Sequence, residues 1–463
     1  MEIFGKSLTE LKALLDEKKI SAKEVFSYFS SRGKKYNEDL NAYLTFIDDK
    51  PKGSDPSLAL FGLPLAVKDN FCTKDIRTTA SAKVLDDFIP QYESTVTRKL
   101  KEAGAVFLGK TNMDAWAHGS STETSDYGPT KNPWDTTRAP GGSSGGTAAA
   151  VSAYLAPGGI GSETAGSIRQ PASWCGIVGL KPTYGRVSRY GVIAMGSSFD
   201  CPGPMTQTVE DAAFLLQTIV GKDPYDATTS ETKVPEYSKQ MKEKRKLRFG
   251  LPEEYMKGLD AEVEKKILES VAVLEKMGHS IKKVSLLDPK YSISVYTILQ
   301  RAEVSSNLAR YDGVRFGNGR SAFGKEAKRR MMLGTYTLSH GYYDAFYKKA
   351  QKIKTLIIND LQRVFLDVDL IMAAPTPMTA LKLGEFEKYP FFGETMDILN
   401  EAAAVAGTPA ISVPCGLDKN GLPVGLQFMG NYFDEGLLLN AAYQFEQETN
   451  FFDVIKMGRE KYK

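Results

Sequence analysis

Histidine and cysteine are scarce in this chain of 463 residues: three of one, four of the other. Cys72, Cys175, Cys201 and Cys415 are scattered, with no CxxC pair. That spacing argues against a zinc site and a disulfide framework and fits a reducing cytoplasm, so no metal is expected. His279 follows a predicted helix stop and His340 sits in "LSHGYY"; neither has an obvious acidic partner at useful spacing. A Ser–His–Asp triad therefore has little support. An excess of charge is also missing, with 59 Lys+Arg against 56 Asp+Glu. A chain gripping nucleic acid by its own charge is more basic, so any RNA contact falls mainly on another chain. No uncharged apolar run of about 18 residues occurs, and no membrane span is expected. The N-terminal "MEIFGKSLTELKALLDEKK" carries charges throughout, unlike a signal or transit peptide.

What is present is a globular mix, 42% hydrophobic and 25% charged. The length allows one large α/β domain. Ser7 before Glu10, and Ser21 before Glu24, are capping boxes that predict two N-terminal helices. "GLPLAVKDN" (62–70) reads as a short buried strand with a polar end, and residues 94–112 as helix, Gly104 stop and strand. A helix is expected over Val209–Leu216, and 221–246 reads as an exposed excursion. Further on come a strand at 246–252 and a helix over Asp260–Met277 with Val263, Ile267, Val271 and Leu274 on one face. Strand-like runs follow at 368–377, 408–416 and 423–430, then a helix over Leu437–Phe445. Alternation of this kind implies a sheet covered on both faces.

The stretch "APGGSSGGTAAAVSAYLAP" (139–157) admits several readings. Thr147 stands where a phosphate-binding P-loop needs lysine, and Thr164 where a dinucleotide fingerprint begun at Gly159-Ile160-Gly161 needs its third glycine. A linker is disfavoured because Ala148–Leu155 is a good helix former. The remaining reading is a tight turn presenting hydroxyls at a helix start, where N–H groups stabilise developing negative charge. A second glycine-flanked serine, Ser167, lies in "GSETAGSIRQPASWCG". A serine nucleophile needs a base. Lys68 ends an apolar strand, where burial lowers a lysine's pKa; it is either such a base or a strand-end lysine paired with Asp69 or another acid.

The strand "GLPLAVKDN", the turn "GGSSGG" and the block "AGSIRQPASWCGIVGLKPTYGRVSRYG" (165–191) resemble the amidase-signature hydrolases in order and spacing. The likeness continues through "GTPAISVPCG" and "GLPVGLQFMG" and covers nearly the whole chain. It implies one amidase-signature domain over 1–463, an α/β fold whose central mixed, twisted β-sheet is covered by helices on both faces. N-terminal helices would occupy 1–50, the catalytic core motif about 60–210, and the substrate-pocket half 246–463. It also implies a Ser–cis-Ser–Lys triad. Lys68 corresponds to the lysine, Ser143 to the bridging serine with its cis peptide, and Ser167 to the nucleophile. The N–H groups of Thr164, Ala165 and Gly166 correspond to the oxyanion hole.

Within the family, "SSNLARYDGVRFG" (305–317) and residues 323–352 are most similar to the A subunits of glutamyl-tRNA(Gln)/aspartyl-tRNA(Asn) amidotransferases. On that resemblance Arg330 holds the α-carboxylate of glutamine, Asp397 lies near the α-ammonium, and Tyr296 belongs to the same pocket. An arginine fork with an acidic acceptor suits a zwitterion. The implied assembly is a cytoplasmic heterotrimer without a cofactor in this chain. Glutamine is hydrolysed here, and the ammonia passes to a B subunit. With ATP and Mg²⁺ the B subunit converts Glu-tRNA(Gln), or Asp-tRNA(Asn), to the amide; a C subunit wraps the pair. Contact with tRNA is indirect, through the B subunit. The rivals are a stand-alone amidase on small amides, disfavoured by Arg330 and Asp397, and a non-catalytic scaffold, disfavoured by Lys68, Ser143 and Ser167.

Several positions depart from the family. Glu163 and Ala165 stand where the nucleophile loop usually has Asp and Gly; if residue 165 needs a positive φ, alanine there costs about 1–2 kcal/mol. Ala115 and His118 are unusual, with His118 read as a packing substitution or a polar lining residue. Cys201 replaces a usual glutamine and reads as a small buried thiol, and the segment after Gly317 is shortened.

Overall fold

A computed structural model describes residues 3–48, 55–315, 317–449, 451, 456, 462 and 463. Residue 1, where the expected 1–50 and 1–463 spans begin, and residue 50 lie outside the described residues. Both capping boxes form, and they start α1 (Leu8–Asp16) and α2 (Ala22–Leu40). The chain then runs through β1 (Tyr43–Phe46), β2 (Pro64–Lys68), α3 (Thr95–Glu102), β3 (Val106–Thr111) and α4 (Gly145–Ser152). Next come β4 (Gly158–Glu163), α5 (Arg169–Cys175), β5 (Val178–Lys181), β6 (Cys201–Thr206), α6 (Val209–Ile219) and α7 (Tyr237–Met241). The second half holds β7 (Arg248–Pro252), α8 (Ala261–Lys276), β8 (Ser280–Val284), α9 (Pro289–Leu308), α10 (Lys325–Leu338) and α11 (Lys349–Phe365). It closes with β9 (Leu370–Ala373), α12 (Glu401–Ala406), β10 (Ala410–Leu417), β11 (Pro423–Met429) and α13 (Glu435–Thr449).

The strands form one mixed sheet of 11 strands, ordered β1-β3-β2-β4-β6-β5-β10-β11-β9-β7-β8. β2 is parallel to β3 and β4 on its two sides, so its apolar run is wholly buried and its end lies inside the molecule. The outer strand β8 exposes Lys282 and Lys283, charges that discourage further edge pairing.

Several local features differ from the sequence expectations. The glycines of Gly159-Ile160-Gly161 belong to strand β4, because a Cβ on Gly159 would press on the Ala66 carbonyl and Thr147. β6 contains Pro202 and Pro204 yet lies inside the sheet; β5 pairs it only at Met205 and Thr206, beyond both prolines. The helix expected over Ala148–Leu155 begins earlier, at Gly145, and every residue of it is buried. The 221–246 excursion is partly packed: Asp223 and Asp226 are buried, Asp226 binding Arg189, and it contains α7. On α8 the buried face is Val263, Ile267, Ser270 and Leu274, so the 3.6-residue period places Ser270 inward in place of Val271.

Candidate active site

β2 ends on Lys68, whose Nζ donates to Ser143 Oγ at 2.7 Å and to the Ser162 carbonyl at 2.9 Å. The Asp69 pairing that was the other reading does not occur. Asp69 accepts from the Thr79 N–H and hydroxyl and lies 3.5 Å from Lys110. Burial brings Lys68 from an ordinary value near 10.5 to about 7, against the pull of Asp114, Asp200 and Glu163. At neutral pH much of it is an unprotonated amine.

Ser143 stands just before α4, and the Gly142–Ser143 peptide is cis. Gly141 makes the turn with φ +86°, which favours glycine, and the Gly142 N–H donates to Gln170 Oε1 at 3.0 Å. The Ser144 N–H donates to the Ser167 carbonyl at 3.2 Å, tying this turn to the next loop.

That loop, 164–167, joins β4 to α5. Among the described residues nothing bonds the Ser167 hydroxyl, and no acceptor takes the N–H groups of Thr164, Ala165, Gly166 or Ser167. Nor is a Ser143–Ser167 hydroxyl bond among those formed; catalytic contacts often tighten only with substrate. The next two amides, Ile168 and Arg169, donate to Glu163 Oε2 at 3.0 and 3.2 Å. The same carboxylate takes Arg169 Nε at 2.9 Å in a fully buried ion pair. Glu163 therefore bends over the start of α5 and braces the loop. Ala165 is not among the positive-φ residues, so its side chain carries no left-handed strain.

Tyr296 on α9 shares a 2.7 Å hydrogen bond with Thr164 Oγ1. Asp397 Oδ2 accepts from Ser120 Oγ at 2.5 Å, while its Oδ1 is buried without a partner among the described residues. A Cβ on Gly166 would collide with that Oδ1, which places the free oxygen against the residue before Ser167. Burial, opposed by the Ser120 hydrogen bond and reinforced by Glu163 and Glu394, pushes Asp397 up to about 8. Arg330 on α10 is buried, and its Nε donates to Glu326 at 2.7 Å. Its Nη2 contacts Glu394, whose other oxygen takes Arg301 Nη2 at 2.7 Å.

Arg301, Glu394, Ser120 and Glu401 escaped the sequence reading. The spacing Glu394, Asp397, Glu401 is a three-then-four repeat that could have flagged the acids. Nothing local singles out Arg301. His118 is buried with both ring nitrogens unpartnered among the described residues. Burial and the nearby Arg330 and Arg301 hold its pKa far below the ordinary value. It faces the arginine cluster as a neutral polar group. Ala115 packs with Trp116 and Phe323, and Cys201 is a buried thiol donating to the Pro182 carbonyl.

A mixed sheet ending a buried strand on a lysine–serine pair, beside a serine with an unengaged hydroxyl, is the arrangement of a serine-type amide hydrolase. The chain belongs to the amidase family, whose profile matches residues 24–439. It is 49% identical over 470 residues to the A subunit of glutamyl-tRNA(Gln) amidotransferase from Halothermothrix orenii, covering 97% of this chain and 98% of that one. It is 48% identical to the protein of the same name from Carboxydothermus hydrogenoformans, covering 97% and 99%. The crystal structure of the Thermotoga maritima counterpart superposes with a TM-score of 0.85 at 38% identity, covering 97% and 96%.

Proposed function

We propose that this chain is the glutaminase subunit of a tRNA-dependent amidotransferase, with Lys68, Ser143 and Ser167 as its catalytic groups. The observation that carries the reading is the free Oδ1 of Asp397 beside Gly166. An acceptor there serves the α-ammonium of an amino-acid amide; simple amides have no use for it. Relatives at 45–49% identity bearing the amidotransferase name support the same reading.

The reaction proceeds in two halves. Neutral Lys68 takes the Ser143 proton as Ser143 takes that of Ser167, and Ser167 Oγ attacks the side-chain carbonyl carbon of glutamine. The amides of 164–166 receive the oxyanion, worth about 3–4 kcal/mol per donor by analogy with other hydrolases. Collapse breaks the C–N bond, the relayed proton leaves on ammonia, and a γ-glutamyl ester remains on Ser167. Water then attacks by the same relay, giving glutamate and free enzyme.

Ammonia is consumed on a B subunit that uses ATP and Mg²⁺ to amidate Glu-tRNA(Gln) or Asp-tRNA(Asn), with a C subunit bridging the two in the cytoplasm. A surface for partners is at hand: Met332, Leu333 and Tyr336 of α10, with Tyr342 and Phe346 beyond it, are exposed. Among the described residues no helix is long and apolar enough to cross a membrane. The test is glutamine turnover by the chain with and without the B and C subunits and aminoacyl-tRNA. Turnover that depends on the complex supports the reading. Fast turnover of simple amides by the isolated chain, with negligible glutamine turnover, replaces it with a stand-alone amidase.

A further inference from the structure

Glu394 bridges two buried arginines, one carboxylate oxygen to each. We propose that Glu394 is an internal stand-in for the substrate's α-carboxylate, occupying Arg330 in the free protein and yielding it when glutamine binds. The proposal rests on the reading of Arg330 as the carboxylate-binding residue.

Three observations carry it. The first is charge. Arg301 and Arg330 are balanced by Glu326 and Glu394, all four within hydrogen-bonding distance of a partner in the cluster. Arg329 on the outer side of Glu326 adds one further positive charge, but Arg330 already spends Nε on Glu326 and Nη2 on Glu394, so a substrate carboxylate arriving at Nη2 competes with the Glu394 carboxylate. Glu326 also pairs with the half-exposed Arg329, whereas among the described residues Glu394 is held by the two buried arginines alone.

The second is a place for Glu394 to go. Arg301 Nε is buried and has no partner among the described residues, while Nη2 of the same guanidinium already holds Glu394. Nε and Nη2 together form one edge of the planar fork that grips a carboxylate with two hydrogen bonds. Released from Arg330, Glu394 closes onto that edge, and Arg330 Nη2 becomes free for the ligand. The two arginines are neighbours because α10 lies tight on α9: a Cβ on Gly334 would run into the Arg301 carbonyl, and Arg330 is one turn away.

The third is linkage to the other end of the ligand. Glu394 and Asp397 lie on one 3₁₀ segment, Pro390–Asp397. Moving Glu394 adjusts the acceptor for the α-ammonium in the same step. Around this segment Asp397 Oδ1, both ring nitrogens of His118 and both carboxylate oxygens of Glu401 are buried without partners among the described residues. Buried polar groups are usually satisfied, so this concentration marks a chamber for a polar ligand and not a closed core.

The experiment is calorimetric titration of L-glutamine into the assembled protein carrying Ser167→Ala, which prevents turnover. Adding Glu394→Gln removes the competing charge and is expected to tighten glutamine binding roughly tenfold, the scale of one charge-assisted hydrogen bond. Binding of the glutamine α-amide, which lacks the carboxylate, should not change. Arg301→Gln leaves Glu394 on Arg330 and should weaken glutamine several-fold, and the double variant should return to the Glu394→Gln value. Glu394→Asp, too short to span both arginines, provides an intermediate case if the glutamine variant melts early. Glutamine binding that Glu394→Gln weakens or leaves unchanged overturns this proposal alone. Absence of glutamine binding in every background, with simple amides turned over by the active enzyme, overturns the glutaminase reading together with it.

Discussion

Lys68 Nζ and Ser143 Oγ meet at 2.7 Å with neither side chain open to solvent. The contact joins residues 75 positions apart, and burial favours the neutral amine of a side chain that is a cation in water. Because burial brings Lys68 to about 7, the neutral form gains as pH rises through that value. Accordingly kcat for glutamine should fall about tenfold per pH unit below 7 and level off above it. Lys68→Met should lower kcat by at least about 10³-fold. A flat profile between about pH 6 and 9 would remove Lys68 from the mechanism.

Asp397 adds a second limb, visible in kcat/KM only. Its pKa of about 8 leaves it mostly protonated in the free protein at neutral pH, yet the α-ammonium needs the ionised form. Affinity for glutamine should therefore rise as pH approaches 8. Asp397→Asn should abolish that limb and raise KM, while an amide without an α-ammonium should show neither effect.

The two serines should separate activity from stability. The Ser167 hydroxyl makes no hydrogen bond among the described residues, so Ser167→Ala should lose at least about 10³-fold in rate with little change in Tm. Ser143→Ala removes one of the two acceptors of Lys68 and should lose rate and about 1 kcal/mol of stability together. Paired assays and thermal melts read both.

The nucleophile loop gives opposite expectations for adjacent residues. Ala165→Gly, which restores the common family residue, relieves no strain and should give no gain in rate, with about 0.5–1 kcal/mol lost to chain entropy. Gly166→Ala drives a methyl into Asp397 and should raise KM at least about tenfold. Kinetics on the two variants side by side decide it.

Glu163 is expected to be structural. Glu163→Ala strands buried Arg169 and should cost about 3–5 kcal/mol in denaturant unfolding. Glu163→Asp should cost less, since it keeps the charge and loses only reach.

Much of this was legible beforehand. Ser7 and Ser21 cap their helices as their spacing predicts, and the apolar run before Lys68 is a buried strand. These are short-range signals. β4 is hard to read from sequence because glycine has weak strand preference; its glycines are explained by distant segments that press on them, Leu8 of α1, the Ala66 carbonyl of β2, Thr147 of α4 and Met205 of β6. β6 was missed because its prolines are tolerated only where a neighbouring strand stops short.

At the site the division is sharper. The family, the buried lysine and the two serine turns are legible in the residue order, because each is a local run whose residue types and spacing carry the chemistry. It takes the folded chain to see that Ala165 is unstrained, that Glu163 turns onto Arg169, and that Glu394 sits on the arginine expected to hold the substrate. Those facts depend on backbone angles, burial and charges brought together from distant segments, such as Ser120 and Asp397 at a separation of 277 residues. Electrostatics acts through the folded space between side chains, and their order along the chain does not specify it.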